Sequence, residues 1–371
     1  MYASITLAFS SFGDAFLYPF LPIHAEKVGI PLVWIGVLLS INRLIRIFSN
    51  QILVGAFRRF GFRYITVGAA VLAIGSTAGY GMGWGIAGWL VLRVLWGISF
   101  SALRISSLGY ALEHSRPGFS LGISRSIYEL GPMFALVAGP FLLKAWSPSI
   151  TFIALAAASL PAVYFAWKLP ELAQPIPARK IKLFRLPSTF NLLTFIATFL
   201  VEGMLIVLLG QLLAADHHLT PTAVTAMAAA WLAFRRVSFL VFAPLGGYLA
   251  DRWGFQRLFS GSVIFISLGF GLLLLNYPFA GLSIIFMANS IHAALAPGGA
   301  SQGEEDKVTA VAENATWRDT GAALGTLAGG LLLSSDHLNI TFILILFLLL
   351  AILCMHLKRS TYFIKKLFSW N

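Results

Sequence analysis

The sequence predicts an all-α integral membrane protein of twelve transmembrane helices. Three observations predict it: an apolar composition, apolar stretches of membrane-spanning length that recur along the whole chain, and basic residues confined to alternate connectors. Of its 371 residues 58% are hydrophobic and only 11% charged, and the mean hydropathy is +0.84. A water-soluble domain carries roughly 25% charged residues, which it needs to cover its surface. Most of this surface must therefore meet lipid.

A span needs about 20 mainly apolar residues to cross roughly 30 Å of hydrocarbon. That length marks spans over 3–24, 31–57, 62–83, 85–112, 118–146, 148–169, 189–214, 221–250, 255–276, 278–300, 308–334 and 337–357. The chain enters its first apolar run at once, without the basic region and cleavage site of a leader, so that run reads as a retained helix. The longest connector, 170–188, holds Pro170, Pro175, Pro177, Arg179, Lys180, Lys182 and Arg185. It separates an N-terminal bundle of six spans, 1–169, from a C-terminal bundle of six, 189–357, and a basic tail follows over 358–371.

Lys and Arg in short loops stay on the cytoplasmic side. The even-numbered connectors hold Arg58, Arg59, Arg63, Arg116, Lys168, Arg179, Lys180, Lys182, Arg185, Arg252, Arg257 and Lys307, and the tail adds Lys358, Arg359, Lys365 and Lys366. The odd-numbered connectors hold Lys27 and Lys144. Both termini are expected to be cytoplasmic, and the net charge of +12 is a signature of topology. No nucleic-acid motif accompanies it. Cys354 is the single cysteine, so no intrachain disulfide and no cysteine metal site is expected. No phosphate loop is present either, because Gly298-Gly299 lacks a following Lys-Ser/Thr. No cofactor is expected.

The halves repeat each other. Asn42-Arg43 through Arg58-Arg59-Phe60-Gly61 aligns without gaps to Arg235-Arg236 through Asp251-Arg252-Trp253-Gly254. A second match, Ala138-Gly139-Pro140 with Ala328-Gly329-Gly330, sets Glu129 opposite Asp319, and Asp14 falls opposite Glu202. Duplicated halves with matched acids are the pattern of a carrier with a central site.

The segment Gly247-Tyr248-Leu249-Ala250-Asp251-Arg252-Trp253-Gly254, with the trailing basic residue at Arg257, resembles the Gly-x-x-x-Asp-Arg-x-Gly loop of the major facilitator superfamily. The first-half copy departs from it: Val54 stands for the glycine and Arg58 for the acid, while Arg59 and Gly61 remain. An acid-mediated latch is therefore not expected in that half. Arg93-Val94-Leu95-Trp96-Gly97 is similar to the family's Arg-x-x-x-Gly element, and Gly131-Pro132 with Gly139-Pro140 is similar in part to its antiporter motif. Asp14, Pro19 and Pro22 resemble the drug/proton antiporter branch. The resemblance covers the whole chain. It implies two pseudo-symmetric six-helix bundles in a bacterial inner membrane that move a small solute, with protons and the lipid bilayer as partners and one chain as the working unit. Export is the direction the antiporter motifs favour. Uptake symport or facilitation is the alternative, and a membrane-embedded sensor or enzyme is the alternative of another class.

Eight arginines fall inside predicted spans: Arg43, Arg46, Arg93, Arg104, Arg125, Arg235, Arg236 and Arg318. Asp14, Glu129, Glu202 and Asp319 join them, with Glu313 near a span end. Each costs roughly 2.5–3.5 kcal/mol at a lipid-facing helix centre, so most must face the interior or a wet cavity. Arg46 can alternatively extend to the cytoplasmic surface. Arg93 and Arg104 lie three turns apart, about 16 Å along one face. Arg125 and Glu129, four apart, can neutralise each other, and so can Arg318 and Asp319, although neighbours do not share a face.

By the resemblance, Asp14, Arg93, Arg104, Glu202 and His292 face the central cavity, and His292 can equally be an interior packing residue. Arg43, Arg125, Glu129, Arg235, Arg236, Arg318 and Asp319 lie on or near the surface between halves, as structural or gating pairs. A carboxylate in a low-dielectric interior holds a proton more readily than one in water. Asp14 and Glu202 are therefore candidates either for proton coupling or for pairing with an arginine of another span. The arginines would hold an anionic or zwitterionic solute, such as a polycarboxylate chelator, or set the state of the carboxylates.

Overall fold

The computed structural model describes residues 1–24, 28–31, 34–172, 187–214, 221–332 and 338–368. The body of the 170–188 connector, Lys27, the pair His217-His218 and the last three residues of the tail lie outside them.

The chain is helical throughout these residues. In order it forms α1 (Tyr2–Ser10), α2 (Phe12–His24), α3 (Ile35–Phe60), α4 (Phe62–Tyr80), α5 (Gly85–Leu112), α6 (Pro117–Ala145), α7 (Pro148–Ala158) and α8 (Pro161–Trp167). The second half holds α9 (Thr189–Thr198), a π-helical turn (Phe199–Met204), α10 (Leu205–Ala214), α11 (Pro221–Trp253), α12 (Phe255–Leu274), α13 (Pro278–Ser301), α14 (Lys307–Leu332) and α15 (Leu338–Phe368). By length and composition, ten helical segments among the described residues can cross a membrane.

The expected spans 1 and 11 are not among those ten. Span 1 is divided at Ser11, whose hydroxyl donates back to the Ala8 carbonyl at 2.7 Å, where Gly131 of α6 packs against both residues. Span 11, α14, is a single helix of 26 residues, but Lys307, Glu313, Arg318 and Asp319 make it too polar to count. α1 packs on α6 and α8, and α14 packs on α3 and α9 while leaving Leu324, Leu327 and Leu331 exposed. Span 6 is likewise divided at Ser159 and Leu160, just before Pro161, whose ring nitrogen cannot donate.

Helices of the first half pack on one another, α3 and α4 on α5, and α1 on α6 and α8. In the second half α13 packs on α11 and α12, and α9 on α14 and α15. The halves meet along two seams, α6 against α11 and α3 against α14. Duplication exchanges α3 with α11 and α6 with α14, so each seam is the image of the other. The turns agree with this: Gly61 and Gly254, matched in the repeat, both adopt positive φ, 80° and 92°, which a residue with a Cβ rarely tolerates.

One end of the bundle gathers the turns bearing Arg58, Arg116 and Arg252. At this basic end an apolar cluster of Leu112, Leu121, Ala250, Phe255, Leu295 and Val311 joins the two halves. The glycines of α14 act differently. Gly321, Gly325 and Gly329 lie against Phe195, Phe199 and Met204, so they fit α14 to its own half, around the π-helical turn, and not to α3. Large apolar side chains such as Phe141, Leu331 and Phe347 stay exposed on the outside of the bundle, as a lipid-facing surface requires.

Candidate functional site

The cost of facing lipid turns the charged residues inward, and packing of the helices, within each half and between the halves, then pairs them. Asp319 of α14 lies opposite α3. It receives Arg46 at 3.2 Å, Arg318 at 3.4 Å and Arg104 at 3.6 Å, and Asn50 Nδ2 donates to it at 3.4 Å. Arg46 also stacks on Phe100, 4.7 Å from the ring centre. It is thus an inward residue, and the alternative of extension to the surface is corrected. Aromatic contact and a carboxylate together outweigh the reach to water.

At the other seam Glu129 of α6 takes Arg125 at 2.6 Å and Arg236 of α11 at 3.0 Å. The repeat sets Glu129 opposite Asp319, and each acid meets an arginine of the other half, Arg236 in one case and Arg46 in the other. Arg235 and Arg236, adjacent in sequence, divide between two acids. Arg235 lies 3.7 Å from Glu202, which Arg318 also holds at 2.8 Å. Glu202 sits in the π-helical turn of span 7, a widened turn of the kind that accompanies functional sites.

Asp14 is paired with Arg93, which is fully buried and donates its Nε to the Leu38 carbonyl at 2.7 Å. Arg43 donates to the Thr326 hydroxyl at 3.4 Å and lies beside Tyr18. The interior therefore holds eight guanidinium groups against four carboxylates, a formal excess of four positive charges. Taking such charges out of water is costly, and attraction to an opposite charge is what offsets it. Here there are too few opposite charges.

A small cavity of about 30 Å³ opens beside this network. Its polar wall is Arg104, Arg125, Ser107, Ser124 and Tyr128, and Ala293, Ala294 and Pro297 of α13 close it from the other half. Ser124 and Ser107 are bonded at 2.7 Å, and Ser4 of α1 joins both at 2.8 and 3.1 Å. Of the two places open to His292, the cavity and the interior packing, it takes the second. It is fully buried in the packing of α13 on α12, its ring tilted against Phe259 with 4.6 Å between centres and Ser262 at 3.4 Å from Nδ1. One position further along the helix, Ala293 reaches the cavity instead. Arg93 and Arg104 also part company, since Arg93 turns to Asp14 and Leu38 while Arg104 reaches the cavity.

At the basic end the loop motif closes one seam. Asp251 accepts from the backbone N–H groups of Gly118 at 2.7 Å and Phe119 at 2.8 Å, so it caps α6 across the seam. Gly247 makes this possible, because a Cβ there would meet the Gly118 backbone. Arg252 and Arg257 are exposed. At the other seam an acid takes part after all, from the opposite side. Arg58 is bonded to Asp306, and Asp306 accepts from the N–H of Thr309 at 3.0 Å at the start of α14. Sequence reasoning missed Asp306, Tyr128, Thr326 and the serine triad. Spacing held a partial signal, since Ser107 follows Arg104 by three positions and Tyr128 precedes Glu129 on α6.

No protein-family model matches the chain, and no curated protein sequence matches it. Solved structures do. The human organic anion transporter MFSD10 is 14% identical, with a TM-score of 0.72 over 95% of this chain and 98% of its own. A bacterial homologue of the iron transporter ferroportin in an outward-facing state is 13% identical, with a TM-score of 0.70 over 97% and 98%. The proton:xylose symporter XylE is 13% identical, with a TM-score of 0.72 over 96% and 94%. At such identity the likeness is one of fold: a multi-span helical membrane protein in the arrangement these structures share.

Proposed function

From the major facilitator fold that its residues adopt, we propose that this chain is a secondary transporter that carries a small anionic or zwitterionic solute by alternating access. The observation that carries this reading is the excess of guanidinium over carboxylate between the halves. A bundle that only needed rigidity would do as well with apolar packing. An interior short of negative charge is suited to a ligand that brings it.

The basic end is read as cytoplasmic, because it gathers the arginines of the even-numbered turns. Both termini then lie in the cytoplasm of a bacterial cell, with the chain in the inner membrane and one copy forming the path. In this reading the structure is closed toward the cytoplasm, by the Asp251 cap, the Arg58–Asp306 pair and the apolar cluster between them. A cavity of about 30 Å³ has room for little more than a water, so a solute enters only when the halves separate. Asp14 and Glu202 are the proposed proton-coupling carboxylates. Each is held by arginine, Asp14 by Arg93 and Glu202 by Arg318. Export is the direction proposed, from the Gly131-Pro132 and Gly139-Pro140 elements of α6. Their glycines seat α1 and Phe16 of α2, which lets spans 1 and 5 move as one body.

Reconstitution into proteoliposomes tests the proposal. With a pH gradient imposed, efflux and uptake of a panel of mono-, di- and tricarboxylates, amino acids and sugars are followed. Flux of an anion or zwitterion driven by the gradient is expected. Flux of neutral sugars alone would overturn the charge argument, solute movement in the same direction as the protons would reverse the direction to uptake, and a membrane that stays silent to every solute would remove transport.

A further inference from the structure

Asp319 is the least well matched acid of the interior. Three arginines approach it, at 3.2, 3.4 and 3.6 Å, all longer than the roughly 2.7–2.9 Å of a charge-assisted hydrogen bond. Glu129 and Glu202 each hold one arginine at 2.6 and 2.8 Å. Arg104 is the farthest of the three from Asp319. It is 8% exposed, and its Nη1, the atom 3.6 Å from Asp319, makes no hydrogen bond among the described residues. That guanidinium stands between Asp319 and the cavity walled by Arg125, Ser107, Ser124 and Tyr128. Around Asp319 and Glu202 together there are four arginines, Arg46, Arg104, Arg235 and Arg318, and so an excess of two charges at one place.

We infer that Arg104, with the hydroxyls of Ser107, Ser124 and Tyr128, forms the receiving site for an organic anion bearing two or more carboxylates, and that Asp319 is the internal counter-ion it displaces. Guanidinium presents paired N–H groups that match a carboxylate edge to edge, the Tyr128 hydroxyl supplies a further donor, and Ser107 or Ser124 supplies one by giving up a bond of the serine triad. One carboxylate would offset half of the local excess and two would offset it. Asp319 holds the arginines in place at distances long enough for a better-matched carboxylate to replace it. The inference names the ligand class of the transport path proposed above; it rests on that reading for the steps after binding, not for binding itself.

The experiment is ligand-induced thermal stabilisation of the purified full chain in detergent, with acetate, succinate, citrate, inorganic phosphate and glucose as probes. Stabilisation by succinate and citrate, and not by acetate or glucose, is expected. Arg104→Gln should weaken it by at least about tenfold, the loss of one charge-assisted hydrogen bond. Asp319→Asn should strengthen it, because the competing carboxylate is gone, whereas a purely structural Asp319 would give weaker binding or none. Equal stabilisation by phosphate overturns the ligand class. Unchanged binding in Arg104→Gln, or weakened binding in Asp319→Asn, overturns the site. Should Arg104→Gln fail to fold, a cysteine at Ser107 in a Cys354→Ser background reads the same site: citrate slows its alkylation if the site is here, and leaves the rate unchanged if it is not. The two readings separate in proteoliposomes. Binding without flux removes transport and keeps the site. Anion flux that survives Arg104→Gln removes the site and keeps transport.

Discussion

Arg58 of the first half holds Asp306 of the second, although the internal repeat sets Arg58 at the position of Asp251. At one seam the acid stands on α11 and caps α6 across the gap. At the other the acid is the cap of α14 itself, and α3 supplies an arginine to it. The same two helix ends are tied, with the charges exchanged between the partners.

That exchange predicts a rescue. Arg58→Asp alone brings two carboxylates together and breaks a largely buried pair, a loss of up to about 3–5 kcal/mol. Adding Asp306→Ser keeps a capping oxygen on α14 and leaves the new acid free to reach it, as Asp251 reaches α6. The double variant should unfold at a higher temperature than the single one. If its melting point is the same or lower, the two latches are not equivalent.

Asp251→Ala removes an acceptor shared by two backbone N–H groups. Loss of a helix cap of this type costs about 1 kcal/mol. A cysteine at Ser124 should then react faster with a reagent applied at the basic end. Unaltered labelling together with an unaltered melting point would show that the cap does not hold the seam.

Gly122→Val tests closure by packing. A Cβ at Gly122 would lie against the Ala243 carbonyl and Pro244 of α11, which are backbone and ring atoms that cannot turn aside. The closed seam should be excluded and the basic-end-open form favoured. The readout is a cysteine pair at Ser126 and Leu240, residues bonded across this seam. It should cross-link readily in the parent and poorly in the variant, and equal cross-linking would contradict the expectation.

Asp14→Asn leaves Arg93 in a fully buried place with its Leu38 carbonyl bond but no counter-charge. Glu202→Gln does the same for Arg318 and Arg235. Each should abolish gradient-driven flux, while exchange of solute in the absence of a gradient persists in at least one. Proton-driven flux intact in both variants would end their assignment to coupling.

Orientation is tested with single cysteines in a Cys354→Ser background. Ser115 and Ser147 are both exposed, at opposite ends of α6. Cysteine at Ser115 should react with an impermeant reagent only after the cells are opened, and cysteine at Ser147 in intact cells. The reverse pattern would invert the topology.

The fold class was legible because it rests on averages. Twenty apolar residues are enough to mark a span, and a span survives interruption at Ser11 or Ser159 when its neighbours take up the backbone groups. The repeat was legible for the same reason, through Gly61 and Gly254. The inward turn of the charges followed from the cost of facing lipid. Partners on one helix followed from spacing, as Arg125 with Glu129, and partners on different helices did not. Asp319 draws Arg46 from α3 and Arg104 from α5, and Glu202 draws Arg318 from α14, contacts across more than a hundred residues that no local spacing encodes. His292 and Ala293 differ by one helical step of about 100°, and packing against Phe259 settled which of them reaches the cavity.

The sequence by itself determined that this chain is a duplicated bundle of membrane helices with its charges turned inward, because burial in lipid is a cost each segment bears alone. Only the tertiary structure decided which acid answers which arginine, that the two latches carry opposite polarity, and that Arg104 is left under-matched beside a cavity. Those are properties of distances between helices remote in the chain, set by packing within a half for Asp14 and Glu202 and between the halves for Glu129, Asp319 and Asp306.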